Sequence, residues 1–162
     1  MQGLPPSTRL RYEPLAPHHV STLAELFAGD TSPYLEPSWH TVTGIKDYIS
    51  IMCAEPTLLN QGLDFMAFRQ PNNHPVGIVQ AFDCSNESWG SACGIAYAVG
   101  RAHRRQGYGR ELVAAVRDYV FDTLDYPLVL AHVEDGNEAS IRLLDGLGFE
   151  RMLTAGVYGL TR

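Results

Sequence analysis

The stretch Val99-Gly100-Arg101-Ala102-His103-Arg104-Arg105-Gln106-Gly107-Tyr108-Gly109 decides how this chain is read. It joins a segment of strand character, 93–99, to a long helical pattern that begins near Gly107. With Arg110 it holds four of the chain's twelve cationic side chains. Glycines at 107 and 109 let backbone amides come close to a ligand, and the helix they open carries partial positive charge at its N-terminus. Arginine adds forked donors that match phosphate oxygens. The stretch therefore predicts a phosphate-binding turn. A Walker A loop is excluded, because it ends in Gly-Lys-Ser/Thr and the one lysine of the chain is Lys46. The dinucleotide fingerprint fails as well, since its third glycine would fall at Leu112.

The surroundings of this turn are those of a globular protein. The 162 residues fit one domain, 1–162, with 1–8 expected as a loose tail, and 45% hydrophobic against 19% charged residues suits a packed core. A net charge of -6 disfavours nucleic acid and anionic membranes as partners, so the arginines at 101, 104, 105 and 110 form a local positive site on an acidic background. The N-terminus lacks the apolar core of a signal peptide, and no window approaches the ~20 apolar residues of a membrane span, so a soluble, cytoplasmic protein is expected. Cys53, Cys84 and Cys93 show no metal-ligand spacing. They read as reduced thiols, and no metal is expected.

Periodicity places the remaining elements. Residues 10–15 read as a short strand, 18–27 as a helix with Val20, Leu23, Ala24 and Phe27 on one face, and 43–52 as a second helix. Between them lies a turn-rich stretch, 29–44, carrying Tyr34, Trp39 and His40. Segments 63–69, 76–82 and 93–99 read as three successive antiparallel strands delivered to the glycine turn. From 109 to 124, Val113, Val116, Val120 and Leu124 form an apolar stripe. Pro127 ends that helix, and the apolar run 128–133 reads as a central strand joined by a right-handed parallel crossover. Asn137 suits the N-cap of a helix that Gly148 terminates, and 149–153 and 157–161 read as final strands.

Arg104-x-x-Gly107-x-Gly109 after a strand closely resembles the acyl-CoA motif of the GNAT N-acetyltransferase superfamily. The opening Arg9-Leu10-Arg11-x-x-Pro14-Leu15 with its helix, the later Asn137-x-x-Ser140, and Leu147-Gly148-Phe149 resemble the RimJ/RimL-like branch, although His18 and His19 stand where acidic residues are common. The resemblance implies a mixed α/β (α+β) fold: a central, mostly antiparallel twisted sheet of about six to seven strands, flanked by about four helices, with strands 4 and 5 forming a parallel pair splayed for CoA. It also implies acetyl-CoA as cosubstrate and direct acetyl transfer to a primary amine, without a covalent enzyme intermediate.

The chemistry makes four demands. The CoA pyrophosphate needs donors, and Arg104, Arg105, Gln106, Gly107, Tyr108 and Gly109 match that role, mainly through backbone amides. The thioester carbonyl needs polarising, which the resemblance assigns to backbone amides around Tyr97, Ala98 and Val99. The amine must be neutral to attack. A lysine amine of pKa ~10.4 is neutral in about one molecule in 2,500 at pH 7, and an α-amine near ~8 in about one in ten. A base is therefore useful. The resemblance places a base on the fourth or fifth strand. The fourth carries no glutamate, and on the fifth His132, five residues before Asn137 where some relatives hold an acidic base, is the first candidate and Glu134 the second. Finally, the CoA thiolate needs a proton. The tyrosine that many relatives place seven residues after the capping asparagine is Leu144 here, so Ser140 takes the acid role by resemblance, with Asn137 on the pantetheine arm.

Three function classes follow: an N-acetyltransferase acting on a protein N-terminus or a small-molecule amine; a CoA-binding regulatory module, a pseudo-enzyme without acetyl transfer; or an interaction domain whose final strand a partner chain completes, suggested by the 13 residues after Phe149. The departure at Leu144 permits the second. The partners expected are acetyl-CoA and an amine acceptor, the assembly a monomer or a homodimer, the latter through an open sheet edge near the C-terminus.

Overall fold

A computed structural model describes residues 3–57 and 62–162. Seven strands form one sheet: β1 (Leu10–Pro14), β2 (Leu63–Arg69), β3 (His74–Asp83), β4 (Cys93–Val99), β5 (Leu128–His132), β6 (Glu150–Arg151) and β7 (Val157–Thr161). Their order across the sheet is β1-β2-β3-β4-β5-β7-β6. Helices α1 (Val20–Phe27), α2 (Val42–Ala54), α3 (Tyr108–Asp122) and α4 (Glu138–Gly146) accompany the sheet, with 3-10 turns at Pro17–His19, Pro37–His40 and Arg101–His103. Each pairing is antiparallel except that of β4 with β5. The mixed fold expected from the sequence is the one observed.

Both faces of the sheet are covered, and the residue pattern shows why. Along β2, Phe65 and Ala67 join the core under α3, while Met66 and Phe68 join a second core under α1 and α2. A strand packed on both faces has no room for polar alternation. The stripe on α3 inserts Leu112, Val113, Val116 and Val120 against the first face. Tyr119, outside the stripe read from the sequence, is also buried there and meets Phe65 edge to face at 5.7 Å between ring centres. Fully burying side chains of this size contributes about 1.5–3 kcal/mol each. Thr41 caps α2 by accepting from the Gly44 amide at 3.1 Å, and Asn137 caps α4 by accepting from the Ser140 amide at 3.4 Å.

Several boundaries differ from expectation. The helix expected from His18 opens as a short 3-10 turn, Pro17–His19, before α1 proper. The first of the two final strands shrinks to the two residues of β6. β7 nonetheless lies between β5 and β6, so the last strand finds its partners within the chain. All three cysteines are free thiols.

The expected loose tail is corrected over most of its length. Residues 1 and 2 lie outside the described residues, but Leu4 is buried in the core. Ser7 donates to Glu111 Oε1 at 2.6 Å, and the Arg9 amide and guanidinium reach the same carboxylate at 2.6 and 2.8 Å. The segment is tied down because Glu111, in the first turn of α3, needs partners when buried beside Tyr12.

Two carboxylates, half-buried Glu111 and buried Asp64, respond to their surroundings in opposite ways. Burial pushes Glu111 up, but donation from Ser7 and Arg9 outweighs it and holds the carboxyl below the ordinary range. Asp64, on β2, is pushed by burial up to about 6, although the Tyr48 hydroxyl donates to it at 2.6 Å. These directions give opposite pH dependences. The Glu111 contribution is complete above the unfolded pKa of ~4.3 and is lost as pH falls, so the stability gap between wild type and Glu111→Gln shrinks below pH ~4.5. An ordinary Asp releases its proton near ~3.9 in the unfolded chain, so the Asp64 effect lowers stability as pH rises from there to about 6. Asp64→Asn flattens that fall. Denaturant unfolding of the three proteins from pH 3 to 8 checks both signs.

Candidate functional site

The site is built where the sheet parts. β4 and β5 pair at only three positions, Cys93 with Val129, Gly94 with Leu130 and Ile95 with Ala131. Beyond them, Ala96 to Val99 continue to pair with β3 through Gln80 to Gly77, while β5 no longer accompanies them. Amides of this stretch that point away from β3 therefore face an opening with no strand partner. Tyr97, Ala98 and Val99, read from the sequence as the carbonyl-polarising strand, lie in it.

At the end of β4 the predicted phosphate turn leads directly into α3. Gly107 is the N-cap of the helix, at φ +83°, and no side chain caps it. The first bond of the helix runs from the Glu111 amide to the Gly107 carbonyl at 3.2 Å. The amides of Tyr108, Gly109 and Arg110 before it have no acceptor within the helix. This is the geometry of an anion site. Gly109 has a different reason for being glycine: a Cβ there would stand 3.0 Å from Leu143 of α4 and 3.7 Å from Val99. It lets α3 lie close to α4 and to the end of β4.

The side chains of the turn are divided between support and solvent. Arg104 donates from Nε to the Val99 carbonyl at 2.9 Å and from Nη2 to buried Asp30 at 2.5 Å. Arg110 donates to the Gly146 carbonyl at the end of α4, at 3.0 Å. Gln106 donates to the Ala102 carbonyl at 3.2 Å. Tyr108 is buried, with the Arg9 guanidinium stacked 4.3 Å over its ring. Arg101 and Arg105 are exposed, and Arg105 takes a left-handed φ of +60° that presents successive amides on one side. Of the four cations of the local positive site, two are thus committed to holding the turn. Arg9 and Asp30 were not legible as site residues, because their partners lie 97 and 74 positions away.

At the other end of the opening lies a cavity of about 290 Å³. Its walls are Ala96, Tyr97 and Ala98 of β4, Ile78, Val79 and Gln80 of β3, Tyr48 of α2, and Tyr34, Leu35, Glu36 and Trp39 from the connection between α1 and α2. Glu134, just beyond β5, completes it. Trp39 is held by Phe27, stacked at 5.1 Å, and by Tyr48, edge-on at 5.2 Å. The Tyr34 hydroxyl lies against Gly136, 2.9 Å from where a Cβ would stand.

The two base candidates are separated by this geometry. Glu134 lines the cavity, whereas His132 is exposed at the end of β5, its ring beside Gly156 of the β6–β7 bend. Ser140, in the first turn of α4, faces Tyr97. The Tyr97 hydroxyl is shielded from solvent and makes no hydrogen bond within 3.5 Å, yet Ser140 stands near enough to draw its pKa down against the larger upward push of burial. Leu144 is fully buried in the core. Among the described residues, Glu13, His18 and His19 also gather potential ligand atoms within 4.8 Å. There the His19 Nδ1 accepts from the Ala16 amide at 3.1 Å, which leaves Nε2 to donate to Glu13 at 3.2 Å, a hydrogen-bonded arrangement rather than a free lone pair.

Known proteins share this fold. Residues 9–150 match the family model described as an acetyltransferase (GNAT) domain. An uncharacterized N-acetyltransferase of Bacillus subtilis, YokL, encoded by the SPbeta prophage, is 32% identical over 111 residues, covering 60% of this chain and 61% of that protein. The chain thus spans less than two thirds of that relative's length. A structure of a ribosomal-protein-serine acetyltransferase from Vibrio cholerae superposes with a TM-score of 0.72 at 18% identity, over 96% of this chain and 95% of the other. AAC(6')-Ib bound to acetyl-CoA superposes with a TM-score of 0.74 at 18% identity, over 96% and 94%. The parted strands, the uncapped helix start and the matched residues lead to one assignment: the chain belongs to the GNAT acetyltransferase family.

Proposed function

We propose that this protein is an acetyl-CoA-dependent N-acetyltransferase of the RimJ/RimL-like branch, a single cytoplasmic unit that passes the acetyl group directly to a primary amine. One observation carries the reading: the opening between β4 and β5 has an uncapped helix N-terminus at one end and a cavity holding Glu36 and Glu134 at the other. Pyrophosphate is held by the amides of Gly107 to Arg110, with Arg105 and Gln106 at the rim, while Arg104 holds the turn in shape. The pantetheine arm runs past Asn137 into the opening. The thioester carbonyl meets the unpaired amides of Tyr97 to Val99, which stabilise the oxyanion as it forms.

The acceptor enters the cavity on the far side. Aromatic walls from Tyr34, Trp39 and Tyr48 with two carboxylates suit a cationic amine on an apolar stem, attracted as an ammonium and attacking as the neutral amine. Glu134 takes the proton, directly or through water, and His132 is set aside as base because it does not line the cavity. The alternative, a CoA-binding module without transfer, is favoured by Leu144, buried in the core at the position where many relatives hold an acidic tyrosine.

Calorimetry with acetyl-CoA, together with thiol release against peptide N-termini, polyamines and amino acids, separates the two. Binding with release on one amine supports the enzyme, and binding without release on the panel supports the module. Gly107→Val places a branched side chain at φ +83° beside the Arg9 guanidinium, and is expected to weaken acetyl-CoA binding at least tenfold. Unchanged affinity in the folded variant contradicts the pyrophosphate assignment. Glu134→Gln is expected to lower kcat by about 10²-fold while acetyl-CoA affinity stays at the wild-type value, and wild-type turnover removes Glu134 from the base role.

A further inference from the structure

The leaving thiolate lacks the usual helix-borne donor, and the structure holds another phenol in its place. Tyr97 lies on β4 two residues beyond the last pair with β5, between two residues, Ala96 and Ala98, that line the cavity. Its hydroxyl is out of contact with solvent and has no hydrogen-bond partner. A buried donor left in that state costs about 1–3 kcal/mol, which a ligand atom recovers. Ser140 faces the same hydroxyl from the first turn of α4, oriented by the Asn137 cap at its own amide. The two hydroxyls therefore converge from β4 and α4 where the strands part. The thioester must lie beside them if its carbonyl reaches the amides of Tyr97 to Val99.

We propose that Tyr97, supported by Ser140, donates a hydrogen bond and then a proton to the sulfur that leaves acetyl-CoA. This rests on the reading of the chain as an acetyl-CoA-dependent transferase. The amine nitrogen bonds to the thioester carbonyl carbon, and the C–S bond breaks with its electron pair on sulfur. The Tyr97 proton passes to sulfur, giving the CoA thiol, and Ser140 relays a proton from solvent to the phenolate. The surplus amine proton leaves through Glu134. Burial keeps the phenol protonated at neutral pH, which a donor requires. Ser140, assigned the acid role from sequence, becomes the relay.

The test reads the sulfur without needing the acceptor. Free CoA is bound to wild type, Tyr97→Phe and Ser140→Ala, and its thiol is titrated by thiolate ultraviolet absorbance against the ligand-free protein. A hydroxyl donating to sulfur stabilises the thiolate, so the bound thiol is expected to titrate about one pH unit higher in Tyr97→Phe than in wild type, a tenfold change in the equilibrium. Ser140→Ala is expected to shift it less and in the same direction. Because the Tyr97 hydroxyl is buried without a bond in the free protein, Tyr97→Phe is expected to melt at or above the wild-type temperature; should it melt below, Ser140→Ala carries the comparison. Equal titration in the folded variants overturns the role of Tyr97. A wild type that binds no CoA overturns the transferase reading itself, a different result from CoA bound with an unshifted thiol.

Discussion

The parting of β4 from β5 after three residue pairs is the constraint on which the remainder of the structure depends. A sheet normally continues pairing until its strands run out, because unpaired amides in a covered sheet are costly. Here pairing stops at Ile95, while β4 continues to Val99 under cover from β3 on its other side. The amides left over are useful only if a ligand completes them. The site is thus an interruption in the sheet rather than a pocket added to it.

Keeping such an interruption open requires support from outside the sheet, and long-range polar ties provide it. Arg104 joins the Val99 carbonyl to Asp30, Arg110 joins the start of α3 to the end of α4, and Glu111 gathers Ser7 and Arg9. Each tie holds backbone that no strand or helix bond would hold. The geometry of the amides is thereby fixed before any ligand arrives, the condition under which fixed dipoles stabilise developing charge at least cost.

The sheet was legible in the sequence because its signals are local. Strands 63–69 and 93–99, the apolar run at 128, the stripe on α3 and the caps at Asn137 and Gly148 are each contained within a few residues. The glycine turn was legible for the same reason. Side-chain assignments fared less well. The sequence gives no sign that Arg104 pairs with Asp30, 74 positions away, or that Ser7 is tied to Glu111. His132, read from the sequence as a base candidate, is exposed at the end of β5, a placement that the apolar run around it does not reveal. Tyr97 entered the sequence reading through its backbone alone, because alternation along a strand does not reveal that α4 brings a serine to its hydroxyl.

Asp30 stands at the head of the connection that carries Tyr34, Glu36 and Trp39 into the cavity, while its carboxylate grips an arginine of the glycine turn. One ion pair thus ties a wall of the cavity to the turn that opens α3. Linkage makes any influence through it mutual: whatever a ligand at the turn does to the grip of the cavity, a ligand in the cavity does in equal measure to the grip of the turn. The Arg104–Asp30 salt bridge is the joint through which the two ends of the opening feel each other.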